Sequence, residues 1–370
     1  MVVQWTKLIK EKIMENVRGI VLDWKLSGAG GINFDSPDQS YLYNKQKGVS
    51  FNPHKNVKYH KGHFYSVKSD NPDDDTKLVK KLCVSSNCLR HHIFEEEHPV
   101  QSPILVSSSE TLNKWITSKT ALVRGYLIPD NIKTLKRKSA LSIPSVEQIS
   151  NTQAALTVQS KSGDRSNTSF SYTETFGDIV YRTKSFGFID TDELQFVSAD
   201  FRYDRQAFLE ESFSLYKENL ERVLGSSVED IAFYSKNNAS LSCEKGILLT
   251  NDQVLTLIKY TLKRIFTFSI KKSSGILETK SLRIRFITDD NFDTRIANKS
   301  EEDFIEINTL SDIDDLNFNV YRSYSKVSDT TIAEFDKYFE KLNDTQDAKK
   351  EAKKEAQLAR SAKKVKGDCE

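Results

Sequence analysis

The residues whose types and spacing point to chemistry are mostly cations. Arg124 and the run Lys136-Arg137-Lys138 lie in a stretch, Lys119 to Lys138, that holds six basic residues and one acid. The whole chain carries a formal charge of only +2, so this excess marks a place and fits a polyanion held through its phosphates. A solvated loop between two strands is the ordinary alternative. Upstream, KLVKKLCVSSNCLRHHIF reads as a strand over Leu78 to Val84, a cap at Ser85 or Ser86 and a helix from near Asn87. A serine cap leaves backbone N–H groups and Arg90 at the same helix end, a geometry suited to an anion. His91 and His92 are ring stackers or, as a second choice, acid–base groups, with packing the expected role for at least one. A third basic segment, SIKKSSG, places Lys271, Lys272, Ser273 and Ser274 in a turn whose backbone can approach phosphate closely.

These groups need elements to hold them. Ile20, Leu22, Trp24 and Leu26 alternate with Val21, Asp23 and Lys25, the period-two pattern of a strand in a sheet with one buried face. It ends at Gly28-Ala29-Gly30-Gly31, but no GKS/T and no GxGxxG entering a helix accompanies the turn, so nucleotide cradling is not indicated. Residues 41–68 mix aromatics with six lysines and read as an extended hairpin suited to a single nucleic-acid strand, or as a loose surface hairpin. A helix is expected over Glu110 to Lys119, then the apolar segment that Arg124 and Gly125 interrupt. Ser145 to Asn167 is polar and reads as a mobile loop. Short strands rich in Phe and Tyr follow, with Phe196 and Val197 in the core. After them come a helix over Arg205 to Leu224, a strand pair over Ile231 to Leu249 and a second helix in NDQVLTLIKYTLKRIFTF. That helix carries Val254, Leu257, Ile258, Thr261, Leu262 and Ile265 on one stripe. SLRIRFIT returns as a strand. Strand, helix, strands, helix, strand is the order of a ferredoxin-like, RRM-like sheet with long insertions.

Composition excludes several classes. No apolar run approaches the roughly 20 residues needed to cross a bilayer, and the first residues lack a signal-peptide layout, so a cytoplasmic protein without membrane contact is expected. The four cysteines, Cys83, Cys88, Cys243 and Cys369, form no disulfide framework, and Cys83 and Cys88 with His91 and His92 fit no usual zinc spacing. No cofactor and no metal is expected. Between Asp289 and Asp315 there are ten acids against two bases, while the tail from Asp347 has eight bases against five acids. The first is an acidic surface or a solvated loop; the second is a charged, flexible tail.

In order, SSNCLRHHIF, LVRGYLIP with LKRKSAL, TSFSYTETFGD, ELQFVSADFRYDR, CEKGILLTND and SIKKSSG resemble the backbone subunit of a type I CRISPR surveillance complex. This is the Cascade protein that coats the spacer of the guide RNA (crRNA), here most like the I-F variant. The resemblance covers roughly Val17 to Ile287. It implies an α+β fold, a modified RRM/ferredoxin-like palm over residues 17–287 with an inserted β-hairpin thumb and web or finger insertions. Residues 41–68 and 145–184 are both candidates for the thumb. Residues 288–345 are an acidic segment packing on the palm, and 346–370 the flexible tail.

Copies in that family stack into a right-handed filament, and each thumb folds over a neighbour's RNA and flips a base out at intervals. Implied partners are crRNA, the target DNA strand, further copies of the chain and other Cascade subunits, including the 5′-handle cap subunit and the crRNA-processing endonuclease. Implied RNA contacts are Ser85, Asn87, Arg90 and His91, then Lys271, Lys272, Ser273 and Ser274. Arg124, Lys136, Arg137 and Lys138 follow, and Lys25 on the first strand. Two alternatives stand beside this reading: a metal-dependent endoribonuclease of the related RAMP superfamily using Asp35 or Asp38, and a general single-stranded RNA-binding protein.

Overall fold

A computed structural model describes residues 14–30, 34–35, 57–60, 62–67, 77–94, 109–128, 135–149, 158–160, 171–172, 179–183, 185–198, 213–236, 243–272, 275–288 and 304–328. The fold is mixed α/β, and the chain divides into two units. The first, residues 1–197, 201–229 and 248–322, is built on a ten-stranded sheet. Its strands are β1 Gly19–Gly30, β2 Gly62–Val67, β3 Lys77–Val84, β4 Leu141–Ser142 and β5 Val146–Gln148. They continue with β6 Ile179–Thr183, β7 Gly187–Asp190, β8 Ser269–Lys272, β9 Gly275–Ile287 and β10 Ile305–Ile307. The hydrogen-bonded path runs β8-β9-β1-β6-β5-β3-β2. Two short strands divide one edge of β1 between them: β6 pairs Lys25 to Gly28, and β7 pairs Gly19 to Leu22.

The long β1–β9 pair sets the core. Ile20, Leu22, Trp24 and Leu26 are buried as their alternation predicts, with Trp24 opposite Leu282 and Leu22 opposite Ile284. The Trp24 indole donates to Thr279 Oγ1 at 3.0 Å and meets the Phe268 ring edge-on at 5.0 Å, so a large apolar side chain is buried with its one polar group satisfied. The expectation of a single buried face fails here. Val21 and Asp23, on the other face, are also buried, because Arg283 and Arg285 lie over the ring of Phe304 at 5.3 and 5.2 Å, just before β10 pairs with β9. Asp23 is held there by Arg182, which donates from Nε at 2.9 Å and Nη2 at 3.0 Å, and by Arg283.

Helix α1, Ser86–Ile93, follows β3 directly, and α2, Ser109–Ile116, and α3, Lys119–Arg124, come next. The helix expected over Glu110 to Lys119 forms as α2 and ends at Ile116, and α3 is an additional helix in the apolar segment that follows. Ser118 separates them by capping Ala121 N at 3.1 Å, a stop-and-restart that a 3.6-residue period does not reveal. Helices α4, Thr191–Gln195, and α5, Phe213–Leu224, precede α6, Asn251–Phe266, and α7, Leu310–Asp314. In α6 all six residues of the expected stripe are buried. Its cap is Thr250, one residue before the expected Asn/Asp start, in a reciprocal capping box with Gln253.

Ser145 to Asn167 is not simply a loop. Val146–Gln148 is β5, inside the sheet between β3 and β6. Gln148 is buried with its Oε1 accepting from Leu82 N at 3.2 Å, so a polar residue occupies a core position while bonding to the backbone of β3. A separate four-stranded sheet joins Ser171–Tyr172, Val158–Ser160, Val57–His60 and Phe34–Asp35 in that order. The two candidate thumb segments therefore pair with each other, Val158 opposite Tyr59 and Ser160 opposite Val57. Residues 289–303 and 329–345 of the acidic segment, and the charged tail 346–370, lie outside the described residues.

The second unit, residues 198–200, 230–247 and 323–370, contains an antiparallel sheet in which Ala232–Lys236 lies between Cys243–Leu248 and Tyr324–Lys326. Lys236 lies over the Tyr324 ring at 5.6 Å. No helix among the described residues is long and apolar enough to cross a membrane.

Candidate nucleic-acid interface

The corner between α1 and α3 is made by short capped helices. Ser85 has extended backbone and accepts from Cys88 N at 3.4 Å, as its position before the apolar residues Leu89 and Ile93 requires. Asn87 is exposed on the first turn. Arg90 was expected to share the amide end of this helix and does not. An eight-residue helix has barely two turns, so position 90 already falls in the last one. Its Nη2 donates instead to the carbonyl of Arg124 at 2.8 Å, capping the C-terminal end of α3. His91 and His92 complete the turn, edge to face at 4.9 Å.

Two half-buried guanidiniums meet at this corner. Burial lowers the pKa of Arg90, and the charge of Arg124 lowers it further; burial lowers that of Arg124 as well. Neither side chain has a carboxylate partner among the described residues, and Arg90 Nε is buried without a hydrogen bond. Like charges held together in a partly desolvated place favour an anion that spans them, and guanidinium forks match phosphate oxygens.

The neighbouring basic run divides into different roles. After α3 the chain turns through Gly125 at φ +71°, and a Cβ there would stand 2.4 Å from the carbonyl of Arg137, so glycine is required for both conformation and space. Tyr126–Ile128 then pairs with Leu135–Arg137 as a hairpin. Arg137 donates to the carbonyls of Leu122 at 2.9 Å, Phe196 at 2.9 Å and Glu193 at 2.7 Å. It ties three segments of backbone together and leaves the set of candidate RNA contacts. Lys138 is exposed, but its ammonium already faces Glu193 at 2.7 Å and Asp190 at 3.9 Å, and that pairing raises its pKa. Lys136 is exposed and stays a candidate.

The chain matches the family described as type I-Fv CRISPR-associated protein Cas7fv-like over residues 21–312. It belongs to the Cas7fv-like family. The matched span takes in the whole ten-stranded sheet except the first residues of β1, together with the α1–α3 corner. The resemblance to a type I Cascade backbone subunit of the I-F variant kind is borne out by this match. No curated protein matched the chain.

On this Cas7fv-like scaffold the remaining candidates are scattered. Lys25 is half-buried in β1, opposite Arg182 and Ser281 and on the face that holds Asp23. Lys271 is exposed at the end of β8, and Lys272 pairs with Gly275; Ser273 and Ser274 lie outside the described residues. Asp35 belongs to a two-residue strand opposite Tyr59, and Asp38 is outside the described residues. No group of three or more metal-ligating side chains occurs among the described residues. One contact was not anticipated from the sequence. Tyr260 of α6, half-buried, shares a hydrogen bond of 2.9 Å with Thr120, and the Lys119 ammonium stands 6.0 Å from its ring centre. Thr120 and Tyr260 are 140 positions apart in sequence, so no local pattern could have joined them.

Proposed function

We propose that this Cas7fv-like chain coats the spacer of a crRNA as the repeated backbone subunit of a type I-Fv Cascade. The observation that carries the proposal is the pair Arg90 and Arg124, two partly desolvated guanidiniums with no carboxylate partner among the described residues. Coating must ignore spacer sequence, so contacts go to phosphate and ribose while base edges stay readable for the target DNA strand. Ser85, Asn87, His91, Lys136, Lys25 and the Lys271–Ser274 turn are the further contacts in this reading. The protein acts in the cytoplasm, without catalysis, alongside further copies of itself, a 5′-handle cap subunit and a crRNA-processing endonuclease. The palm is the first unit's sheet with α1 and α6, and the thumb is drawn from the joined strands 57–60, 158–160 and 171–172.

The test is to express the protein with a CRISPR array and its partner subunits and to weigh and sequence what co-purifies. An oligomer whose RNA maps to the array supports the coating role; a monomer without RNA, even with the partners present, overturns it. Incubation with complementary RNA and magnesium addresses cleavage. Fragments that vanish in Asp35→Ala would replace the coating role with the endoribonuclease reading.

A further inference from the structure

Polar links join α1, α3 and α6 in a closed circuit that contains the Arg90 and Arg124 pair. Arg264 of α6 donates from Nε to the carbonyl of Ile93, the last residue of α1, at 2.9 Å. From the last turn of α1, Arg90 donates to the carbonyl of Arg124, the last residue of α3, at 2.8 Å. Thr120, in the first turn of α3, shares its hydroxyl hydrogen bond of 2.9 Å with Tyr260, which returns the circuit to α6. Tyr260 and Arg264 stand four residues apart on α6, so a single helix face supplies both of its links. The Tyr260 ring is itself held, stacked against the buried Phe94 with centroids 6.5 Å apart.

The three helices are unequal. The eight residues of α1 and the six of α3 fall short of the roughly 12–15 at which an isolated helix is even marginal in water. Helix α6 has sixteen, with a capping box and a buried apolar stripe, so the short helices take their places from it. Burial of Leu89 and Ile93 on one side and of Ala121, Leu122 and Val123 on the other holds them down, but apolar contact is non-directional. A hydrogen bond fixes distance and angle. That restraint matters here because two like charges, with no anion between them, push the ends of α1 and α3 apart.

We propose that Tyr260 and Arg264 are positioning residues for the RNA contact: they fix α3 at its first turn and α1 at its last residue, and so preset the spacing of the Arg90 and Arg124 guanidiniums at which a phosphate is held. The proposal rests on the RNA-coating reading and adds the residues that prepare the contact without being part of it. Guanidiniums ordered when the chain folds need no ordering when RNA binds, and affinity rises by that difference.

The experiment uses the full chain and two single-stranded RNAs of unrelated sequence, with affinity measured by fluorescence anisotropy over a range of salt. Tyr260→Phe keeps the ring and loses the hydroxyl. The expected result is an affinity loss of about threefold to tenfold, equal for both RNAs, with the slope of log affinity against log salt unchanged because no phosphate contact is removed. Thr120→Val takes away the other half of the same hydrogen bond and gives a like loss, and the two changes together are no worse than either. Arg264→Ala also weakens binding with the slope kept, and Arg264→Lys, which retains a donor for the Ile93 carbonyl, restores most of it. In an Arg124→Ala background Tyr260→Phe has no further effect, since the spacing it sets no longer serves a pair. Full affinity in Tyr260→Phe, a loss that simply adds to that of Arg124→Ala, or a slope lowered by about 1 in Tyr260→Phe or Arg264→Ala overturns the positioning role and leaves the coating role standing. Wild-type protein that binds neither RNA brings down the coating reading itself, and the positioning role with it.

Discussion

At Asp23 two guanidiniums converge on one buried carboxylate; at the α1–α3 corner two guanidiniums converge with no carboxylate among the described residues. The first arrangement is complete. Arg182 and Arg283 fill the lone pairs of Asp23, and although burial raises its pKa, the hydrogen bonds and charges of the two arginines outweigh that and leave it lowered. The second is incomplete by the same accounting: burial lowers the pKa of both Arg90 and Arg124, the charge of Arg124 lowers that of Arg90 further, and no carboxylate among the described residues offsets it. Identical side chains thus neutralise a buried carboxylate in one place and stand without a carboxylate among the described residues in the other, the difference on which the proposed RNA contact rests.

The largest expected effect falls on the complete site. Asp23→Ala leaves two partly buried cations without their counter-ion and lowers the unfolding free energy by about 3–5 kcal/mol in chemical denaturation. Arg124→Ala, by contrast, costs about 1 kcal/mol or less. Equal losses from the two substitutions would erase the distinction drawn here. Next comes the basic run: Arg137→Ala removes three hydrogen bonds to backbone and destabilises by about 2–4 kcal/mol, whereas Lys138→Ala, on an exposed pair, changes stability by less than about 1 kcal/mol.

RNA reverses the order. Arg124→Ala weakens binding by about tenfold, to the same extent for unrelated sequences, and lowers the slope of log affinity against log salt by about 1. A loss confined to one RNA sequence would sink the assignment. The smallest effect is on acid sensitivity. Because the pKa of Asp23 is lowered on folding, its contribution is fully present above the ordinary carboxylate range, about pH 4, and disappears as pH falls through its folded value. Asp23→Asn should therefore be less stable at neutral pH and show a shallower loss on acidification, which thermal melts from pH 7 downward measure.

Part of this was legible in the sequence. The α6 stripe, the Ser85 cap and the apolar face of β1 are local patterns with a period, and they form where expected. Lys136, Arg137 and Lys138 are the opposite case. Side by side they read as one basic patch, yet one ties backbone carbonyls, one pairs with acids and one is exposed, because their partners come from Leu122, Glu193 and Phe196. Arg90 misleads for a related reason: the helix end it serves belongs to another helix. Asp23 shows the limit of alternation, which reports one covered face but cannot see Phe304 arriving from 281 residues away to cover the second.

The pairing of Val158–Ser160 with Val57–His60 makes two insertions, about a hundred residues apart, a single heritable unit. Shortening either would strip the other of its neighbour and leave an open strand edge able to recruit foreign chains. Variation in their lengths should accordingly be correlated, and a chimaera that exchanges one segment without the other should aggregate where the double exchange stays soluble.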